Sequence, residues 1–238
     1  MIPAAVALRD LRFRWPGSAT DCLAIEHFDL APGERVFLHG PSGSGKSTLL
    51  SLIGGVLSPS AGSVGVAGQS LGVLSPAARD RYRADHIGFV FQLFNLLPYL
   101  SARDNILLAC RFSAARRARL QRAGCSPALE VGRLAAHLDL APELLDRPAS
   151  ALSVGQQQRV AAARALIGQP GLVVADEPTS ALDADRQAAF LDLLLGECAA
   201  AGAALLFVSH DARLATRFDR VLGLTDLNHA VSASGVRP

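Results

Sequence analysis

Nine consecutive residues, Gly40-Pro41-Ser42-Gly43-Ser44-Gly45-Lys46-Ser47-Thr48, constrain this chain more than any other segment. They fit the pattern G-x-x-x-x-G-K-[ST]. They follow an apolar run at 35–39 and precede a segment of helical character at 47–53, which Gly54-Gly55 ends. A strand that feeds a glycine-rich loop and then a helix turns several backbone N–H groups onto one anion, and the helix N-terminus adds positive potential. In this pattern Lys46 offers a point charge to the β- and γ-phosphates of a nucleotide, and Ser47 offers a hydroxyl to Mg²⁺. Of the 23 lysines and arginines, Lys46 is the one lysine. A chain that otherwise uses arginine keeps the compact ammonium where a planar guanidinium would not fit.

The texture around the loop predicts the rest of the architecture. Residues 6–8 and 11–15 alternate apolar and polar like a half-buried strand, and 62–70 is short, glycine-rich and β-like. Residues 94–151, rich in Ala, Leu and Arg, show helical spacing. A helix at 156–167, a strand at 172–175, a helix at 185–200 and a strand at 205–208 follow. That alternation predicts a parallel sheet with crossover helices. The strand at 172–175 runs into Asp176-Glu177, two carboxylates at the end of a buried strand, where charge meets the phosphate loop. Asp176 is placed to hold Mg²⁺, directly or through water, and Glu177 to take a proton from an attacking water or to orient it.

Composition narrows the partners. A chain of 238 residues, half of them apolar, supplies one sizeable core, or one core and a packed subdomain. A net charge of +2 argues for neither nucleic acid nor an acidic substrate as the partner. Cys22, Cys110, Cys125 and Cys198 lie far apart with no C-x-x-C pair, as expected of four ordinary thiols in a reducing compartment. The start, Met1-Ile2-Pro3, lacks the pattern of a secretory leader. The longest apolar stretches fall well short of the roughly 20 residues of a spanning helix. Any membrane part is then expected in another chain. Residues 228–238 are expected to fray.

One further segment points to a family. Leu152-Ser153-Val154-Gly155-Gln156-Gln157-Gln158-Arg159 resembles the LSGGQ signature of ATP-binding cassette (ABC) proteins, with Val154 in place of the first glycine. The order of motifs is similar to that family over nearly the whole chain. Gln92, in Phe89-Val90-Phe91-Gln92, resembles the Q-loop glutamine, Ser180-Ala181-Leu182-Asp183 the D-loop, and His210 the switch histidine. Trp15 stands where the family places an adenine-stacking aromatic, more often tyrosine, and Phe13 is a nearby competitor.

The resemblance implies an α/β fold: a P-loop NTPase (RecA-like) core, an N-terminal antiparallel β subdomain and an inserted α-helical subdomain. The whole of 1–238 is then one ABC ATPase domain, with 1–92 and 156–238 as the core and β subdomain and 93–155 as the helical signature subdomain. The implied cofactors are ATP and Mg²⁺. Trp15 and residues 40–48 would hold the nucleotide, Ser47, Gln92 and Asp176 the metal, and Glu177, His210 and Gln92 would serve hydrolysis. Ser153, Gly155 and Gln156 would meet the γ-phosphate held by the opposite subunit, because the amides opening that helix form an anion site with no phosphate of their own. A homodimer then sandwiches two ATP molecules, and hydrolysis releases it.

The segment 88–98 with Asp104-Asn105-Ile106 is similar to the LolD/MacB/FtsE branch of the family. That similarity implies a separate integral membrane permease subunit, docked near Gln92 on 93–105, and a peripheral location on the cytoplasmic face of the inner or cell membrane. The competing reading is a cassette of DNA repair or chromosome maintenance. Those carry zinc modules or long coiled coils between the phosphate loop and the signature, and this interval shows neither heptads nor zinc-spaced cysteines. The arginine-rich stretch at 111–122 reads either as a solvated helix face or as a contact for lipid headgroups or a partner's acidic loop. Val154 leaves two outcomes: a degenerate site, or a first glycine that the signature does not require. The intact Ser153, Gly155, Lys46, Glu177 and His210 favour the second.

Overall fold

The computed structural model describes residues 3–230. Two sheets organise it. β1 (Val6–Phe13), β2 (Leu23–Leu30), β4 (Ala61–Val66) and β5 (Gln69–Ser70) form an antiparallel sheet in the order β2-β1-β4-β5. β3 (Arg35–His39), β6 (Ile87–Val90), β7 (Leu172–Asp176), β8 (Ala204–Val208) and β9 (Arg220–Gly223) form a second sheet in the order β6-β7-β8-β3-β9. Its described pairs are all parallel.

The period of two explains how the parallel sheet splits the interior. Side chains of successive strand residues point to opposite faces. Val36, Leu38, Val174, Leu206 and Val208 join the core shared with the antiparallel sheet. Phe37, Val173, Ala175, Leu205 and Phe207 join the larger core beneath the helices. A strand buried on both faces reads as a continuous apolar run, as at 172–175 and 205–208.

The helices are α1 (Lys46–Ile53), α2 (Pro76–His86), α3 (Ala102–Phe112), α4 (Ala114–Arg122), α5 (Pro127–His137), α6 (Val154–Leu166), α7 (Ala184–Ala201) and the short α8 (Leu224–Leu227). Their starts are written in the sequence. Ser75, Ser101, Ser113, Ser126, Ser153 and Asp183 each accept a backbone N–H of the first turn, and Pro76 and Pro127 follow their caps directly. No helix among the described residues is long and apolar enough to cross a membrane. The four cysteines are free thiols.

Four expectations change. The helix expected at 156–167 starts two residues earlier, because Ser153 caps it and Gln156 closes a capping box. Helix α2 was not foreseen: it buries no residue, so it has no apolar stripe to detect. Of the tail expected to fray, 228–230 is tied down. Asn228 accepts from Ala24 N at 2.8 Å and donates to Cys22 O at 3.0 Å, and 231–238 lies outside the described residues.

The fourth change concerns the arginine-rich stretch, which is not simply a solvated face. Arg116 is 2 % exposed. It donates to Ala84 O, Ile87 O, Ala165 O and Ile167 O, and Arg119 donates to Asp85 O and Gly168 O. The last carbonyls of a helix have no partner within it. Here the ends of α2 and α6 converge on one guanidinium, and burial pushes its pKa down to about 10.

Candidate functional site

β3 delivers the chain into the glycine-rich loop, and the loop's shape depends on two glycines. Gly43 (φ 79) and Gly45 (φ 101) adopt left-handed conformations, and a Cβ on Gly45 would lie 2.8 Å from the Leu23 side chain. Gly45 caps α1 without any side-chain hydrogen bond, so the N–H groups opening that helix are left for an anion. Lys46 Nζ donates to Gly40 O at 2.7 Å and Pro41 O at 3.0 Å, which folds it over the loop.

β7 brings the carboxylates from the other side. Ser47 Oγ donates to Asp176 Oδ2 at 3.3 Å. Burial raises the Asp176 pKa, the Glu177 charge adds to this, and Ser47 and Lys46 oppose it. Glu177 sits at φ 47, a left-handed conformation costing a non-glycine residue about 1–3 kcal/mol. Its N–H donates to Val208 O at 2.9 Å, which holds the turn onto β8. Its Oε2 lies 2.6 Å from His210 Nδ1, so the ends of β7 and β8 present a carboxylate and an imidazole together.

Lys46, Ser47, Gln92, Asp176, Glu177 and His210 line one cleft of about 520 Å³. Trp15 lines it too, together with Ser42, Gly43, Gly45 and Thr48. Phe13 is buried, with its ring 4.9 Å from Trp15 in an edge-on arrangement, so Trp15 is the ring left facing the cleft. Cys22 was not foreseen as a lining residue. It lies in the cleft with Sγ 3.9 Å from Thr48 Oγ1, brought there by the β1–β2 pairing, and no local sequence signal marks it. Gly40, Pro41 and Ser44 shape the loop from behind: a Cβ on Gly40 would meet Ser44 Oγ at 3.0 Å.

Ser153, Gly155 and Gln156 are not in this cleft. They form the start of α6, where Ser153 Oγ accepts from Gln156 N at 3.3 Å and Gln156 Oε1 accepts from Ser153 N at 2.9 Å. Val154 occupies the first helical position with its side chain about half exposed, and neither it nor Gly155 has positive φ. The backbone therefore makes no demand for glycine at 154.

A second groove, about 570 Å³, opens on another face between α2, α3 and α6. Phe89, Phe91, Asn95, Phe112, Arg116 and Arg164 are among its walls. Leu93 and Tyr99 stand exposed nearby in sequence.

The model of the ABC transporter family matches residues 24–180. The chain is 42 % identical over 202 residues to the lipoprotein-releasing system ATP-binding protein LolD of Pseudomonas fluorescens, covering 83 % of this chain and 84 % of that one. It is 42 % identical over 230 residues to LolD of Novosphingobium aromaticivorans, covering 94 % and 97 %. The macrolide export ATP-binding/permease protein MacB of Rhodopseudomonas palustris is 38 % identical over 232 residues, which cover 95 % of this chain and 34 % of that protein. Among solved structures, the dimeric ABC transporter cassette MJ0796 superposes with a TM-score of 0.79 at 30 % identity, covering 92 % and 93 %. A dimeric post-hydrolysis state of the same cassette, bound to ADP and Pi, has the same TM-score at 31 % identity.

Proposed function

Because the chain belongs to the ABC transporter family, as an ATP-binding and ATP-hydrolysing subunit with the expected α/β cassette fold, we propose that it works as a homodimer around two ATP molecules. In this reading it drives a separate integral membrane subunit from the cytoplasmic face of the inner membrane. The substrate class is that of the LolD relatives, lipoproteins released from a membrane, and mechanical extraction rather than passage of a solute through a channel is the mode of work. The observation that carries the reading is the pairing of a complete cleft around Lys46 with a capped, separate helix start at Ser153.

Within one chain, Lys46 exchanges its two loop carbonyls for β- and γ-phosphate oxygens, and the free amides opening α1 hold the same phosphates. The oxygens of Ser47 and Asp176 are 3.3 Å apart, and the carboxyl is one whose charge burial disfavours. Such a hard-donor pair fits a small divalent cation, so Ser47 and Asp176 would hold Mg²⁺, with Gln92 beside them. When bound, Mg²⁺ would supply positive charge that offsets the charge of the phosphate oxygens. Glu177 takes the proton of the attacking water, and His210, on its Oε2, fixes the carboxylate's direction. Trp15 stacks on the adenine. From the other subunit, Ser153 and the amides of Val154 and Gly155 approach the γ-phosphate, which is why loss of that phosphate opens the dimer.

The permease subunit docks beside Gln92, along residues 93–105 and the adjoining groove. Exposed Leu93 and Tyr99 on this face and Phe112 in the groove support that reading. Residues 93–155 are read as one signature subdomain carried on a core formed by 1–92 and 156–238. A photocrosslinker at Tyr99 should capture the membrane subunit in native vesicles. Capture of this chain alone would place the docking site elsewhere.

A further inference from the structure

Gln92 lies on an exposed segment, and the turn that follows it is held in an unusual way. Phe94 (φ 58) and Asn95 (φ 50) are consecutive non-glycine residues in the left-handed region. The Phe94 ring is buried in the main core, and Asn95 N donates back to Leu93 O at 2.6 Å. Arg164, in the last turn of α6, reaches both carbonyls: Nη1 donates to Asn95 O at 2.6 Å and Nη2 to Phe94 O at 2.5 Å. These carbonyls are its hydrogen-bond partners among the described residues, and no carboxylate shares the guanidinium. Burial lowers its pKa. A planar guanidinium grips two successive carbonyls, which a single ammonium does poorly. A half-buried cation satisfied by so few groups is costly to leave unbonded, so the grip and the strained turn hold or fail together.

The same helix begins at Ser153. Its two ends, roughly 16 Å apart at 1.5 Å per residue, thus carry the signature and the brace behind Gln92. Arg164 also lines the second groove, so a segment docked there lies against the guanidinium. We propose that Arg164 is the positioning residue that ties Gln92 to the signature helix: the braced turn keeps Gln92 in the cleft, and release of the two carbonyls withdraws it. This rests on the reading of Gln92 as a contact to the metal or the attacking water. The brace is the two-state element through which docking and nucleotide sense each other.

A double-mutant cycle on steady-state Mg·ATPase of the full chain decides it, with Gln92→Ala, Arg164→Met and the double variant. Arg164→Met is expected to lower kcat by about tenfold with KM for ATP within about twofold, and to add little once Gln92 is already alanine. Equal fold losses in both backgrounds, or an unchanged kcat in Arg164→Met, would overturn the proposal. Should Arg164→Met fail to fold, Arg164→Lys is read in the same cycle, with a smaller loss expected. If Gln92→Ala alone leaves kcat unchanged, the reading of Gln92 fails. The brace is then judged by amide hydrogen exchange at 93–97, where faster exchange in the Arg164 variant upholds it and unchanged exchange rejects it.

Discussion

The starts of α1 and α6 are both helix N-termini able to meet an anion, and the chain treats them in opposite ways. Gly45 leaves α1 without a side-chain cap, inside a cleft that already holds Lys46, Ser47 and Asp176. Ser153 and Gln156 cap α6 reciprocally, at a surface where a Cβ on Gly155 would meet nothing within 4 Å. The first terminus is incomplete without a phosphate. The second is capped only in part by its own chain, through the N–H groups of Ser153 and Gln156, and it keeps a bare glycine where its own fold leaves room for a side chain. The difference fits the proposed reading, in which the demand for Gly155 comes from outside the chain, from a nucleotide held by a second copy.

The largest expected effect breaks the first terminus. Lys46→Ala removes the one ammonium from the cleft and should cut ATPase by about 10³, comparable to losing a main electrostatic donor. An ATPase assay across ATP concentrations checks this, and near-normal turnover would contradict the role. Gly155 sharpens the contrast, because stability and activity should move apart. Gly155→Ala should stabilise the isolated chain by about 0.5–1 kcal/mol, since alanine suits a helix and meets no neighbour, while ATPase falls. Gly155→Asp should abolish ATPase by setting a carboxylate against the γ-phosphate. Denaturant melts alongside rates read both. Parallel loss of stability and activity would make the glycine an ordinary structural residue.

The Asp176 titration gives a smaller effect with a definite sign. Its folded pKa lies above the ordinary value because burial disfavours the charge. Its contribution to stability is therefore present at low pH and lost as pH rises through the folded pKa. Asp176→Asn should raise the melting temperature of the nucleotide-free chain at pH 7, by roughly 1–3 °C, while abolishing Mg²⁺-dependent turnover. An unchanged or lower melting temperature contradicts the sign. Smallest of all, Val154→Gly should shift the ATPase rate by less than about twofold, because position 154 is an ordinary helical residue. A large gain would show that valine impairs the site.

What the sequence made legible follows the range of the interactions. The phosphate loop, the carboxylates ending β7 and the segment 152–159 are local, since spacing and residue type carry their chemistry, although the Ser153 capping box starts α6 two residues before the expected 156. Strands β3, β7 and β8 were legible because burial on both faces leaves an unbroken apolar run, whereas β6 is only four residues long and β9, also four, is partly exposed, so neither stands out. Helix α2 was not, because it buries no residue. Arg116 was misjudged because the carbonyls that bury it come from 84–87 and 165–167, far away in sequence. Cys22 enters the cleft only through strand pairing, and Arg164 meets Asn95 across 69 residues.

The most direct test of the account is the association state of Glu177→Gln with ATP. This variant keeps every phosphate contact and loses the proton acceptor, so hydrolysis should fall by about 10²–10⁴ while ATP stays bound. Sedimentation at high protein concentration should show a dimer with ATP and a monomer with ADP. A monomer under both nucleotides would contradict the claim that the capped start of α6 is completed by a second copy's nucleotide.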